Sequence, residues 1–366
     1  MSAFSDRDRE LMRRALELAA RGMFTTTPNP RVGCVIAREG RVIGEGWHER
    51  AGEAHAEARA LADTAARGED ARGATAYVTL EPCNHYGRTP PCTAALLDAG
   101  IARVVAAMRD PSAAAGHGAD RLLAARAEVD MGLLEAESRE LNVGWIKRLR
   151  DGRPWVRVKI AASIDGRTAL AGGESQWITG PEARADGHRW RARSCAILTG
   201  IGTVLQDDPQ LTVRAVETTR QPMKVVVDRH GDLPVKARVL AGAPVVIFSA
   251  EAPRVSWPRD VESVVLRGPD GRVDLAAMLK RLGERGINEL HVEAGAKLNG
   301  ALLAAGLVDE LLLYLAPCLL GDPARGMFEL PAPMAKLSER VALRIASVER
   351  IGEDWRILAR PHRPEK

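Results

Sequence analysis

Among the 366 residues of this chain, His55, Glu57, Cys83 and Cys92 are those whose types and spacing most plainly permit chemistry. His55-Ala56-Glu57 opens an expected helix, Pro82-Cys83 closes an apolar run, and Cys92 follows across an eight-residue loop, NHYGRTPP. One imidazole and two thiolates make three protein ligands, which leaves a tetrahedral Zn²⁺ ion with an open position. Catalytic zinc needs that vacancy, because the water held there must lose a proton near neutral pH. Cys92 stands at a helix start, where the dipole favours a thiolate. Glu57 is surplus to the ligand set. It is placed to shuttle a proton from the water to a leaving amine.

These residues need elements to hold them. Residues 32–37 and 41–46 read as a hairpin turning at Glu39-Gly40, followed by a helix over 55–66 and a buried strand over 76–80. A second helix is expected over 92–99 and another buried strand over 103–108. Upstream, Ser5 caps an amphipathic helix with Leu11, Ala15, Leu18 and Ala19 on one face. Such alternation favours an α/β sheet covered by helices. Residues 147–154 (KRLRDGRP) read as a linker. Beyond it, strands are expected over 155–162, 196–199, 224–228, 244–249, 289–293 and 310–317. Two α/β domains result, residues 1–148 and 153–366.

Composition narrows the partners. Hydrophobic residues at 46% and charged residues at 27% describe a globular chain. The first 150 residues carry 21 basic and 21 acidic side chains, and the remainder 31 and 27, so neither half offers the basic excess of a nucleic-acid footprint. The longest apolar run, residues 311–320, is ten long and holds a proline, too short to cross a bilayer. The N-terminal stretch lacks an uninterrupted apolar core, so neither a membrane nor a secretory reading stands. Five cysteines argue against a disulfide framework, and the cytoplasm is the expected compartment. Cys34, Cys195 and Cys318 read as packing residues, and His48 and His117 as surface or loop residues.

His-x-Glu, then Pro-Cys and Cys, is the pattern of zinc nucleobase deaminases, which usually separate the cysteines by two residues rather than eight. The run from Glu81 to Cys92 (EPCNHYGRTPPC), with Thr27-Pro-Asn-Pro-Arg-Val-Gly33 upstream, resembles the deaminase half of the bifunctional riboflavin-biosynthesis deaminase/reductases. The resemblance implies a cytidine-deaminase-like α/β/α fold and a diamino-hydroxypyrimidine substrate bearing a ribosylamino 5-phosphate. It further implies zinc ligands His55, Cys83 and Cys92, Glu57 as proton shuttle, and substrate contacts at Asn29, His85 and Arg88.

The second half has no G-x-G-x-x-G after a strand. Thr199-Gly-Ile-Gly-Thr203 comes nearest, and Glu293-Ala-Gly-Ala-Lys-Leu-Asn-Gly300 also joins a strand to a helix. Either turn suits a phosphate or is an ordinary βα connection, and composition alone does not separate the two. Residues 159–168 (KIAASIDGRT), 174–179 (ESQWIT), 199–203, 207–214 (DDPQLTVR) and 292–295 (VEAG) resemble the reductase half of the same family. That half implies a dihydrofolate-reductase-like α/β fold and NADPH. By motif position the cofactor falls on Ala161, Trp177, Thr203, Asp207, Gly295, Ala296, Lys297, Leu298, Asn299, Gly300 and Ala301. The phosphorylated substrate falls on Ser175, Arg191, Leu211, Arg214 and Glu293. Both arginines suit a phosphate, which a guanidinium grips bidentately. Where the family often has a small hydroxyl residue after Val225-Val-Val-Asp228, this chain has Arg229.

The implied enzyme deaminates the pyrimidine hydrolytically and then reduces its ribosyl group to ribityl, with a homo-oligomer, dimer or tetramer, as the expected assembly. An RNA-directed alternative, such as a tRNA adenosine deaminase with an accessory nucleotide-binding domain, fits the balanced charge of the first half poorly. A structural zinc with a nucleotide-sensing module meets the objection that three ligands leave the site open.

Overall fold

The computed structural model describes residues 4–86, 90–112 and 117–362. The chain divides into two compact units, Met1–Asp151 and Gly152–Lys366, each built on its own mixed sheet.

In the first unit, α1 (Asp6–Arg21) starts on a capping box. Ser5 Oγ accepts from the Asp8 N–H, and the Asp8 carboxylate accepts from the Ser5 N–H. The hairpin β1 (Gly33–Arg38) and β2 (Arg41–Trp47) turns through Glu39 and Gly40, at φ of 49° and 78°. There follow α2 (Ala56–Ala66), β3 (Thr75–Val78), α3 (Cys92–Asp98), β4 (Arg103–Ala106), α4 (Gly118–Ala124), β5 (Glu128–Met131), α5 (Glu135–Leu141) and α6 (Val143–Asp151). The sheet runs β2-β1-β3-β4-β5; β1 is antiparallel to both neighbours and β3, β4 and β5 are parallel. Both faces are covered. Cys34 and Ile36 pack with Ala56 and Ala60 of α2, whereas Val35 and Ala37 pack with Leu11, Ala15 and Leu18 of α1. Two-sided burial is why these strands read as unbroken apolar runs.

Two glycines seat the helix that carries the site. A Cβ on Gly44 would lie 2.0 Å from Thr64 Oγ1, and one on Gly46 would lie 2.4 Å from Ala60 N, so β2 meets α2 at backbone distance. The region expected to be a linker is largely helix. Residues 147–151 are the last turn of α6, with Lys147 buried and its Nζ 2.5 Å from Asp151. The charges of the expected linker include ion pairs from Lys147 and Arg150 to Asp151 and the exposed face of an amphipathic helix.

The second unit contains β6 (Trp155–Ser163), β7 (Arg167–Ala169), α7 (Pro181–Arg193), β8 (Ala196–Gly200), α8 (Ile201–Asp207), β9 (Met223–Val227), β10 (Val245–Ser249) and β11 (Val261–Val265). It continues through α9 (Leu275–Glu284), β12 (Glu289–Val292), α10 (Ala296–Ala304), β13 (Glu310–Ala316), β14 (Arg325–Gly326), β15 (Leu343–Ile351) and β16 (Asp354–Pro361). Its main sheet is ordered β11-β10-β9-β8-β12-β6-β13-β16-β15. All strands from β11 to β13 are parallel, and β16 and β15 close the edge antiparallel. The chain steps outward from β8 to β9, while β12 lies on the other side of β8. That reversal opens a crevice at the carboxyl ends of β8 and β12, where ligands of open α/β sheets bind.

Cys34 and Cys195 are buried in the cores as expected, but Cys318 is only half-buried. No helix among the described residues is long and apolar enough to cross a membrane.

Candidate active sites

In the first unit α2, the loop after β3 and the start of α3 meet. His55 is the N-cap of α2, Glu57 lies in its first turn, and Cys92 is the first residue of α3. His55 Nδ1 stands 3.3 Å from Cys92 Sγ and 3.6 Å from Cys83 Sγ, and all three ligand atoms lie within 4.8 Å of one another. A tetrahedral zinc with bonds of usual length separates its nitrogen and sulfur ligands by about 3.6 Å, so this donor set fits the ion in size and in chemistry. The Cys92 N–H donates to Cys83 Sγ at 3.4 Å. The hydrogen bond from the Cys92 thiol pulls Cys83 down to about 4 and pushes Cys92 up. The Cys83 thiolate in turn holds the His55 pKa up.

Glu57 is buried at 4% exposure, and burial, with the Cys83 charge added, pushes its carboxyl up to about 6. The loop bearing Cys83 is held from behind. The buried Glu81 carboxylate accepts from Ala119 N–H at 2.9 Å and Asp110 N–H at 3.1 Å.

His48, expected to be a surface or loop residue, lies in the loop after β2 but is 3% exposed and packs edge-on to His55, with ring centroids 5.4 Å apart. Its Nδ1 donates to the Ala54 carbonyl, which leaves Nε2 to accept from Asn29 Nδ2 at 3.0 Å. A histidine just past a strand end carries no periodic signal of burial; the loop over residues 49–54 folding back is what covers it. Asn29 is thus tied to the site through His48, and His85 is exposed. Arg88 lies outside the described residues. His117 is an exposed loop residue, as expected.

In the second unit the crevice is a cleft of about 1210 Å³, lined by the β8–α8 and β12–α10 connections, the end of β9 and residues 268–276. It adjoins a cavity of about 320 Å³, and Thr203, Gln206, Gly295, Ala296 and Arg325 line both. Lys297, Leu298 and Ala301 face the large cleft; Ala161, Ser175, Trp177, Asp207, Glu293 and Asn299 face the small one. Asn299 Oδ1 is buried and has no hydrogen-bond partner among the described residues, an acceptor presented where a dinucleotide carrying amide and hydroxyl groups would lie. The cleft therefore fits NADPH in size and in polarity. Trp177 is 69% exposed and stacks under the Arg184 guanidinium at 4.7 Å.

Gly300 lines neither space. A Cβ there would lie 1.9 Å from the Glu329 carbonyl, so this glycine packs α10 against the 329 backbone. Leu211, held at φ 50°, is buried in the core with Ile197 and Val226. Arg191 and Glu293 are paired with each other: Nη2 donates to Oε2 at 2.7 Å, and Nη1 donates to the Thr212 carbonyl at 3.0 Å. Burial alone would raise Glu293, but the Arg191 charge holds it well below the usual carboxylate range. Arg214 is exposed and bonded to Gln210. Lys159 lines the small cavity, and burial pushes its ammonium down against the opposing pull of Glu293. Asp165 accepts from the Gly321 N–H and shapes a turn, away from both spaces. Gln206 and Arg325, which line both spaces, sit outside the motif positions and were not legible as site residues.

A zinc-bearing deaminase fold joined to a dinucleotide-dependent reductase fold is the class defined by these two sites. Residues 5–108 match the cytidine and deoxycytidylate deaminase zinc-binding region, and residues 154–357 match the RibD C-terminal domain. The chain is 47% identical to the riboflavin biosynthesis protein RibD of Escherichia coli K12, covering 95% of this chain and 97% of that one. Its identity to the Haemophilus influenzae RibD is 46%, over 99% of each. Among solved structures, Acinetobacter baumannii RibD superposes with TM-score 0.88 at 42% identity, over 98% of this chain and 99% of that one. A Thermotoga maritima diaminohydroxyphosphoribosylaminopyrimidine deaminase/5-amino-6-(5-phosphoribosylamino)uracil reductase superposes at 0.90 with 35% identity, over 97% and 99%. The chain belongs to the RibD family: it is a bifunctional deaminase and reductase of riboflavin biosynthesis, with zinc in the first domain and NADPH in the second.

Proposed function

We propose that residues 1–148 deaminate a diamino-hydroxypyrimidine bearing ribosylamino 5-phosphate, and that residues 153–366 reduce the ribosyl group of the product to ribityl. The observation that carries the first half is the triangle of His55, Cys83 and Cys92 beside the buried Glu57. In this reading the three side chains hold zinc, whose Lewis acidity lets water lose a proton near neutral pH. Glu57 takes that proton and returns it to the exocyclic nitrogen. The carbon–nitrogen bond breaks, oxygen replaces nitrogen on the ring, and ammonia leaves. Asn29, His85 and Arg88 contact the substrate, Asn29 through a side chain already oriented by His48.

In the second domain, Ala161, Trp177, Thr203, Asp207 and residues 295–301 hold the cofactor, with Gly300 acting by packing. NADPH supplies the hydride, and the chain orients it toward the former anomeric carbon of the open-chain imine. Ser175, Arg191, Leu211, Arg214 and Glu293 bind the phosphorylated substrate, Leu211 through its backbone because its side chain is in the core. The protein works in the cytoplasm as a homo-oligomer. An assembly is supported by edge strand β15, where Ile345 and Val348 are 60% and 50% exposed.

The experiment is a coupled assay on zinc-loaded protein supplied with the diaminopyrimidine ribotide. Ammonia release is expected first, with loss of NADPH absorbance following and depending on it. NADPH oxidation that proceeds without ammonia release would refute the order, and no turnover of this ribotide would refute the substrate.

A further inference from the structure

The large cleft continues past the β8 and β12 connections to the end of β9, where Val227, Arg229 and residues 268–270 and 272–275 form its far wall, with Gly271 in the turn between them. A dinucleotide whose reactive ring reaches the small cavity beside Lys159 and Glu293 places its adenosine end against this wall. In nucleotide-binding sheets, an acid at such a strand end binds the ribose 2′-hydroxyl and selects the unphosphorylated cofactor. The acid here is Asp228, and it is fully buried and spent. Its oxygens accept from the N–H groups of Gly231, Asp232 and Leu233 at 3.2, 3.1 and 2.8 Å.

The next residue, Arg229, is exposed, and among the described residues its guanidinium makes no hydrogen bond or ion pair. The Arg267 side chain makes none either. Their Nη2 atoms lie 3.5 and 3.4 Å from the point where a Cβ of Gly271 would stand, so two cations converge on one spot. Neighbouring acids are hydrogen-bonded elsewhere: Asp274 accepts from the Ala277 N–H, Asp270 accepts from the Arg272 N–H, and Glu251, which feels the Arg267 charge without bonding to it, accepts from His230. Converging guanidinium groups without a hydrogen-bonded carboxylate suit a phosphate. We propose that Arg229 and Arg267 grip the 2′-phosphate of NADPH, and so make this chain select NADPH over NADH. The inference rests on the reductase reading above.

The test is calorimetric titration of the full chain with NADPH, NADH and adenosine 2′,5′-bisphosphate, which reads binding rather than turnover. Arg229→Ala is expected to weaken NADPH and the bisphosphate by about 10- to 100-fold, the loss of one charge-assisted contact, and to leave NADH unchanged. Arg267→Ala moves the same two ligands in the same direction. Equal losses for NADPH and NADH, or none in either variant, would overturn the proposal while leaving the reductase reading intact. A wild-type chain that binds neither dinucleotide would overturn both. Arg229 is exposed, so an unchanged melting temperature checks that the variant folds.

Discussion

Glu57 owes its proposed role to where α2 begins. His55 occupies the N-cap and Glu57 the first turn, so both project toward Cys83 and Cys92 while the rest of the helix packs on β2. Burial raises this carboxyl toward neutrality, which suits a group that serves first as base and then as acid. Glu57→Gln keeps the shape and removes the proton exchange. Ammonia release is expected to fall by about 10²- to 10⁴-fold. Zinc content by metal analysis, and reduction of substrate supplied already deaminated, should be unchanged; loss of zinc from the variant would make Glu57 a ligand instead. That His55, Cys83 and Cys92 come together was legible because they sit in short motifs at element ends. His48 was not, because its burial arises from a loop closing over a strand end. The Leu211 side chain and the Gly300 Cα pack in the core although both sit in matching motifs, since a motif marks a place on the chain and not which way a side chain points.

At the scale of elements, the strands buried on both faces were readable, whereas β5, β11, β15 and β16 were not. β3, β4, β8, β9, β10 and β12 are buried on both faces and show as apolar runs. β5 (EVDM) and the exposed β15 carry no such run, because an edge strand buries little. The helix that covers the inner sheet face depends on Asp8. Its carboxylate completes the capping box, accepts from Tyr77 Oη at 2.7 Å and pairs with Arg103 at 2.9 Å. Burial pushes this carboxyl up, but the hydrogen bonds from Ser5 and Tyr77 and the Arg103 partner hold it well below the usual range. A depressed folded-state value means the stabilisation is present above the ordinary value of 3.8 and is lost as pH falls below it. Asp8→Ala is therefore expected to destabilise the first unit by about 2–4 kcal/mol at neutral pH, from the lost cap and an orphaned Tyr77 hydroxyl. In denaturant titrations the gap between wild type and variant should narrow below about pH 4. A gap independent of pH would mean that the carboxylate charge contributes nothing.

For the whole molecule, two main sheets and two separate sets of core clusters mean that each unit carries what it needs to fold. The proposed zinc ligands His55, Cys83 and Cys92 all belong to Met1–Asp151 and the large cleft to Gly152–Lys366. Metal removal should then act on one unit alone. A metal that binds only the folded state, at about a thousandfold excess over its Kd, stabilises that state by about 4 kcal/mol. For a unit of this size that corresponds to about 8–16 °C in melting temperature. Scanning calorimetry of the full chain with and without chelator is expected to show the first unit's transition falling by such an amount while the second holds. Ammonia release should vanish with the metal, whereas NADPH-dependent reduction of pre-deaminated substrate should persist. If chelation lowers both transitions together, or stops reduction of the pre-deaminated substrate, the two units are one cooperative block and the division at residue 151 has no energetic meaning.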